Sequence, residues 1–178
     1  MREDLKEILY PEDVIERRVA ELGAEIARDY EGKAPLLIGI LKGCFMFFAD
    51  LARCIDLKCE IRFLIVSSYG FSSVTSGTVN IGTEFDFEIT GRDVLIIEDI
   101  LDSGVTLSTL KKTLLGYSPA SLKICALLDK PSRRQVEMTA DYVGFVCPDE
   151  FLVGYGLDYA ERYRNLPFVA SLKPEIYL

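Results

Sequence analysis

The residue types best suited to chemistry are concentrated between Glu98 and Thr106. Glu98 and Asp99 are adjacent carboxylates, Asp102 is a third, and Ser103-Gly104-Val105-Thr106 follows at once. A Ser-Gly-x-Thr stretch entering a helix, signalled here by the apolar period Leu107, Leu110, Leu114, presents free backbone N–H groups and hydroxyls to a phosphate. Carboxylates repel phosphate, so their presence beside such a cradle calls for ligand hydroxyls, a bound cation, or positive charge that develops during a reaction. A ribose 5-phosphate unit supplies all of these. Its phosphate would fill the loop from Ser103 to Thr106, its ring hydroxyls would meet Glu98 and Asp99, and Asp102 would stand near the anomeric carbon.

Such a site needs rigid elements to hold it. The apolar run Val94 to Ile97 reads as a buried strand leading into the acidic residues, and the cradle opens a helix running to about residue 115. Residues 11–30 read as a helix opened by Pro11-Glu12-Asp13, with Ile15, Val19, Leu22 and Ile26 on one face and Gly32 beyond its end. Leu36 to Ile40 is a buried parallel strand, Leu41-Lys42-Gly43 turns into a helix over 45–55, and a second strand covers 61–67. From Ser68 to Thr90 the composition shifts to Ser, Thr, Gly and aromatics, which predicts a mobile excursion over about 68–90 with strand-like alternation at 78–81 and 85–89. Further strands are predicted over 121–128 and 142–146, with a short element at 151–153. The alternation of strands and helices predicts one α/β domain over 1–178, an open, mostly parallel twisted sheet flanked by helices, with ligands at the carboxyl ends of the strands. Those ends carry Leu41-Lys42-Gly43, Glu98 to Thr106, and Asp129-Lys130.

Composition narrows the function classes. The 178 residues suit one domain, and 49% apolar with 27% charged residues excludes a disordered chain. Twenty basic against 28 acidic residues, a net charge of -8, oppose an extended nucleic-acid contact. No apolar stretch has the length of a membrane span, and the charged start Met1 to Glu7 is unlike a secretory signal, so the expected location is cytoplasmic. The five cysteines form no Cys-x-x-Cys pair, and there is no histidine, which removes Ser-His and Cys-His nucleophiles and leaves proton transfer to carboxylates, Lys or Tyr. Neither a Walker-type loop nor Gly-x-Gly-x-x-Gly occurs.

The full pattern of four apolar residues, Glu98-Asp99, two apolar residues and Asp102-Ser103-Gly104-Val105-Thr106 resembles, at every position, the 5-phosphoribosyl-1-pyrophosphate (PRPP) signature of type I phosphoribosyltransferases. Leu41-Lys42-Gly43, Ser67-Ser68-Tyr69-Gly70, Leu128-Asp129-Lys130-Pro131 and the run from Val143 to Tyr159 resemble the 6-oxopurine branch of that family, in order and over nearly the whole chain. The resemblance implies the type I fold with a small hood from the terminal segments, a purine-binding part at about 129–165, and a mobile loop whose tip is Ser68-Tyr69. It implies transfer of 5-phosphoribosyl from PRPP to hypoxanthine and guanine, with Mg²⁺ as cofactor and a homodimer or homotetramer as the assembly.

The same resemblance assigns roles. Glu98 and Asp99 hold the ribose hydroxyls and the metal, and their charge matches the oxocarbenium-like transition state better than the neutral sugar. Asp102 is the general acid/base near N7 of the purine. Leu41, Lys42 and Gly43, joined by a peptide bond that can be cis between the first two, bind pyrophosphate together with Arg164. Lys130 reads the 6-oxo group, since an ammonium only donates. Phe151 stacks on the base, Leu152 meets its edge through the backbone, and Asp158 is associated with a second magnesium. The chain departs from the commoner pattern over Asn80 to Glu88, where relatives carry a basic connection, and this bears on loop closure and subunit contacts. The rival readings are a regulatory protein that senses nucleotides through a PRPP site, and a transferase preferring xanthine; Lys130 with Phe151-Leu152 opposes adenine and pyrimidines.

Overall fold

The structure is a computed structural model that describes residues 1–65 and 87–178. In chain order its elements are β1 (Leu5–Tyr10), α1 (Glu12–Asp29), β2 (Leu36–Leu41), α2 (Phe45–Cys54), β3 (Glu60–Ile65), β4 (Asp93–Leu101), α3 (Val105–Leu115), β5 (Ser121–Asp129), β6 (Tyr142–Val146), β7 (Leu152–Val153), β8 (Val169–Leu172) and α4 (Pro174–Tyr177). Short 3₁₀ turns cover Arg2–Asp4 and Pro131–Arg133.

Five strands form the main sheet in the order β3-β2-β4-β5-β6, and every neighbouring pair is parallel. Strands buried on both faces read as unbroken apolar runs, and Leu36 to Ile38, Val94 to Ile97 and Ile124 to Leu128 are all fully buried. Alternate residues of β4 serve opposite layers. Leu95 and Ile97 pack with Ile15, Leu22 and Ile26 of α1 and with Phe47 and Leu51 of α2. Val94 and Ile96 pack with Leu107, Leu110 and Leu114 of α3. The central strand is thereby gripped from both sides, and its carboxyl end, where Glu98 to Leu101 lie, inherits that rigidity.

A second sheet, β1-β8-β7, is antiparallel and gathers both ends of the chain. Leu172 N–H donates to the Phe151 carbonyl at 2.9 Å, Lys6 pairs with Glu150 at 2.8 Å, and the Tyr10 ring stacks on Phe145 with centroids 4.4 Å apart. The residues around Phe151 are therefore held from three directions. The hood expected from the terminal segments is built on strands β1 and β8, which sequence patterning did not find. β1 is too charged to show a clean apolar alternation, and β8 is only four residues long.

Other bounds differ little from the expected ones. The predicted loop tip Ser68-Tyr69, the strand-like 78–81 stretch and most of the excursion lie outside the described residues. Where that excursion re-enters, the predicted strand at 85–89 is not formed over 87–89; a turn replaces it, with Ile89 only 1% exposed and Glu88 accepting the Thr90 N–H at 3.0 Å. Burial of a single Ile by a local turn satisfied the apolar signal that had suggested a strand. Among the described residues no helix is long and apolar enough to cross a membrane.

Because Leu95 is wholly buried between β2, β5 and the α1–α2 layer, Leu95→Ala is expected to cost about 3 kcal/mol of stability, read as a lowered urea midpoint at unchanged m value.

Candidate active site

Two neighbouring cavities open at the carboxyl edge of the parallel sheet. The first, of about 380 Å³, is lined by Leu41 and Gly43 after β2, by Glu98, Ile100 and Leu101 of β4, and by Asp102, Ser103, Gly104 and Thr106. The second, of about 420 Å³, is lined by Lys130, Arg133, Asp149, Phe151, Leu152, Asp158 and Tyr177. Ile100 and Asp102 belong to both.

The floor of the first cavity is the β4-to-α3 connection. Gly104 caps α3 in the left-handed region at φ +78, and the first intrahelical bond runs from Ser108 N–H to Gly104 O at 2.8 Å. The N–H groups of Val105, Thr106 and Leu107 precede that bond and have no carbonyl one turn back, which is the arrangement that binds anions. Val105 is exposed, and its N–H also donates to Ser103 Oγ at 3.4 Å.

Asp99 is buried and Glu98 opens onto the cavity. Burial pushes both carboxyls up from their ordinary range, and the Asp99 charge pushes Glu98 further. Asp99 is partly compensated by the Ile100 N–H at 2.9 Å and by the Arg164 guanidinium. Gly43 packs directly against the Asp99 carboxylate, in space that any Cβ would need, and Gly156 packs against the Gly43 carbonyl in the same way. The Leu41-Lys42 peptide is cis. The loop expected to hold pyrophosphate is therefore wedged between the acidic end of β4 and the 154–158 turn.

Lys42 and Arg164, expected to share pyrophosphate, converge on one carboxylate that the sequence reading overlooked. Lys42 Nζ is 3.2 Å from Glu161 Oε2, and Arg164 Nη2 is 3.4 Å from the same oxygen. The hydrogen bond from Lys42 holds Glu161 below its usual range. Arg164 also pairs with Asp158 at 2.8 Å and donates to the Gly156 carbonyl at 2.8 Å, while its buried Nε has no partner.

In the second cavity Lys130 is 6% exposed, and its Nζ donates to the Glu150 carbonyl at 2.8 Å, leaving ammonium protons for a ligand acceptor. Phe151 stacks on Tyr177 with centroids 4.8 Å apart and meets Tyr159 edge-on at 5.4 Å. Asp102 Oδ1 is buried without a hydrogen bond, and Arg133 Nε stands 3.6 Å from it. Arg133, Arg134, Glu161 and Tyr177 are the site residues that sequence reasoning missed. The Arg133-Arg134 doublet just beyond Lys130 was a usable signal; Tyr177 carried none, since only the fold brings the carboxyl terminus to Phe151.

The oxygen-only donors suit a hard cation such as Mg²⁺. Among the described residues no three acidic, His or Cys side chains gather into a metal-holding group, so Glu98 and Asp99 stand apart from Asp158. That fits an ion carried largely by water and substrate phosphates, the usual habit of Mg²⁺.

The phosphoribosyl transferase domain family matches residues 7–160, and the chain belongs to it. It is 52% identical over 177 residues to the hypoxanthine-guanine phosphoribosyltransferase of Bacillus subtilis, covering 99% of this chain and 98% of that one. It is 51% identical over 177 residues to the bifunctional protein TilS/HprT of Listeria monocytogenes, with 99% of this chain covered but only 27% of that longer protein. The crystal structure of a hypoxanthine phosphoribosyltransferase from Staphylococcus aureus superposes with a TM-score of 0.93 at 48% identity, covering 100% of this chain and 97% of that one.

Gly43→Ala would drive the Asp99 carboxylate out of its place. It is expected to keep the circular dichroism of the parent and to lower phosphoribosyl transfer by about 100-fold, the effect of misplacing reacting groups by an ångström.

Proposed function

We propose that the chain transfers the 5-phosphoribosyl group of PRPP to hypoxanthine, and to guanine, in purine salvage. The observation that carries this reading is that the two cavities meet at Asp102. In this reading the sugar phosphate lies in the first cavity, on Ser103 to Thr106, with its ring hydroxyls toward Glu98 and Asp99. The purine lies in the second, with Phe151 against its face, the Leu152 backbone at its edge and Lys130 donating to the 6-oxo group. An adenine, which presents a donor at that position, gives the remaining protons of the buried ammonium no acceptor on the base.

The purine ring nitrogen bonds to the anomeric carbon as the bond to pyrophosphate breaks, and the purine gives up a proton to Asp102. Glu98 and Asp99 stabilise the positive charge that grows on the sugar ring, and their burial strengthens that effect. Lys42, the Leu41-to-Gly43 backbone and Arg164 receive the departing pyrophosphate. Glu98 and Asp99 would hold Mg²⁺, with Asp158 toward a second ion, and the bound metal would neutralise phosphate charge.

The Lys42–Glu161–Arg164 cluster supports the pyrophosphate assignment, because Glu161 occupies the position of an anion between two cations. All five cysteines are free thiols, in keeping with a cytoplasmic setting. A homodimer or homotetramer would cover the exposed Ile61, Phe63 and Ile65 of edge strand β3.

The test is nucleotide formation by purified protein with magnesium, PRPP and each of hypoxanthine, guanine, xanthine and adenine. Turnover with the first two is expected, and its absence overturns the proposal; a preference for xanthine moves the specificity assignment of Lys130. Asp102→Ala is expected to lower kcat by about 100-fold or more while PRPP still binds. Parent-like turnover in that variant would place proton transfer elsewhere. Glu161→Gln, which removes the internal anion, is expected to lower the KM for PRPP about threefold, the scale of an exposed ion pair; steady-state kinetics at varied PRPP reads it.

A further inference from the structure

Three successive carbonyl oxygens behind the phosphate cradle are tied to one short stretch of chain. Leu101 O accepts from Lys130 N–H at 3.0 Å and from Arg134 Nη1 at 2.8 Å. Asp102 O accepts from Arg134 Nη1 as well, and Ser103 O accepts from Gln135 N–H at 2.9 Å. A trans peptide is planar with its C=O and N–H on opposite sides, so fixing these three carbonyls aims the N–H groups of Asp102, Ser103 and Gly104 away from Arg134.

Arg134 is the centre of this arrangement. Its side chain is only 14% exposed and its charge is matched by Asp129, 16% exposed, which Nη2 contacts. Its Nε donates to the Met138 carbonyl at 3.1 Å, and its Cδ lies against Gly104 where a side chain would stand. The planar fork thus spends donors on four acceptors from three segments. A lysine has the charge without the fork and cannot reach all of them at once. None of these contacts faces either cavity, and Arg134 lines neither.

We propose that Arg134 is a positioning residue for phosphoribosyl transfer. Its guanidinium locks the back of the 101–104 loop so that the loop's N–H groups face the sugar phosphate and Asp102 stays at the junction of the two cavities. Asp129 and Lys130 are consecutive, so the segment that reads the base also sets the geometry of the phosphate cradle. The inference rests on reading the first cavity as the ribose 5-phosphate subsite.

The experiment compares Arg134→Lys and Arg134→Ala with the parent, by calorimetric titration with ribose 5-phosphate and by steady-state kinetics. Circular dichroism checks the fold, and the lysine variant, which keeps charge and most of the stem, carries the test if the alanine variant does not fold. Both variants are expected to bind ribose 5-phosphate about tenfold more weakly or worse, and to lose about 100-fold in kcat as Asp102 shifts. Millimolar guanidinium, but not methylammonium, is expected to restore binding to Arg134→Ala. Parent-like affinity and kcat in Arg134→Lys overturn the proposal, as does a loss in a folded Arg134→Ala that guanidinium leaves unchanged. A parent that fails to bind ribose 5-phosphate overturns the subsite reading instead. The clamp is then judged by the amide resonances of Ser103 and Gly104, which must move in Arg134→Lys if it exists.

Discussion

Two adjacent carboxyls are buried at the carboxyl end of the central strand, and most of the surrounding architecture follows from that constraint. Charge without water is expensive, and it persists only where partners are built around it. Asp99 has the Ile100 N–H and the field of Arg164, Glu98 has Asp99 as hydrogen-bond partner, and Gly43 leaves its side-chain space to the Asp99 carboxylate. The pressure that raises both pKa values is the same pressure that favours a cation or a sugar gaining positive charge. A solvated pair at the surface would be screened and would contribute far less.

The constraint spreads through backbone contact. Because Gly43 is pressed on Asp99 and Gly156 on Gly43, the acidic end of β4, the cationic loop after β2 and the turn that leads to Asp158 cannot move independently. The turn is anchored from a further side by Tyr155, whose hydroxyl donates to Asp50 of α2 at 2.6 Å. The second sheet completes the enclosure by bringing both termini against Phe151. Groups contributed by distant parts of the chain thus converge on an opening set by parallel-strand ends, the place where such folds bind ligands.

Legibility in the sequence tracked how local each determinant was. β2, β4 and β5 were readable because burial on both faces writes continuous apolar runs, and the phosphate loop because its residues are contiguous. Bounds for α1, α2 and α3 followed from apolar period and punctuation by Pro and Gly. β1 and β8 escaped because their pairing partners lie at the opposite end of the chain, and neither segment is long or regular enough to declare itself. The same holds in the site. Glu98 to Thr106 stood out unaided, Lys42 and Lys130 as candidates at the ends of strands, and Phe151 and Arg164 emerged only by resemblance to a family. Glu161 emerged only from geometry, since a Glu that bridges two cations looks like an ordinary surface residue in a string of letters, and the Arg133-Arg134 doublet signalled charge near the site but not that Arg134 satisfies carbonyls. Val105, by contrast, matched the motif letter for letter, yet it is exposed and does not line the cavity.

The charged contacts of the site divide by burial, and the division matches what each must do. Lys42 and Glu161 are both about two-thirds exposed, so their ion pair is weak and exchangeable. In the proposed reaction a pyrophosphate, with more charge and more acceptor oxygens than a carboxylate, would take over both Lys42 and Arg164 while Glu161 returns to water. Arg134 and Asp129 are mostly buried and engage several partners, and parting them would strand a charge and release carbonyls at once. No ligand on either side offers a replacement. The exposed pair can therefore trade partners, whereas the mostly buried pair cannot, and it is the latter that ties down the loop carrying Asp102.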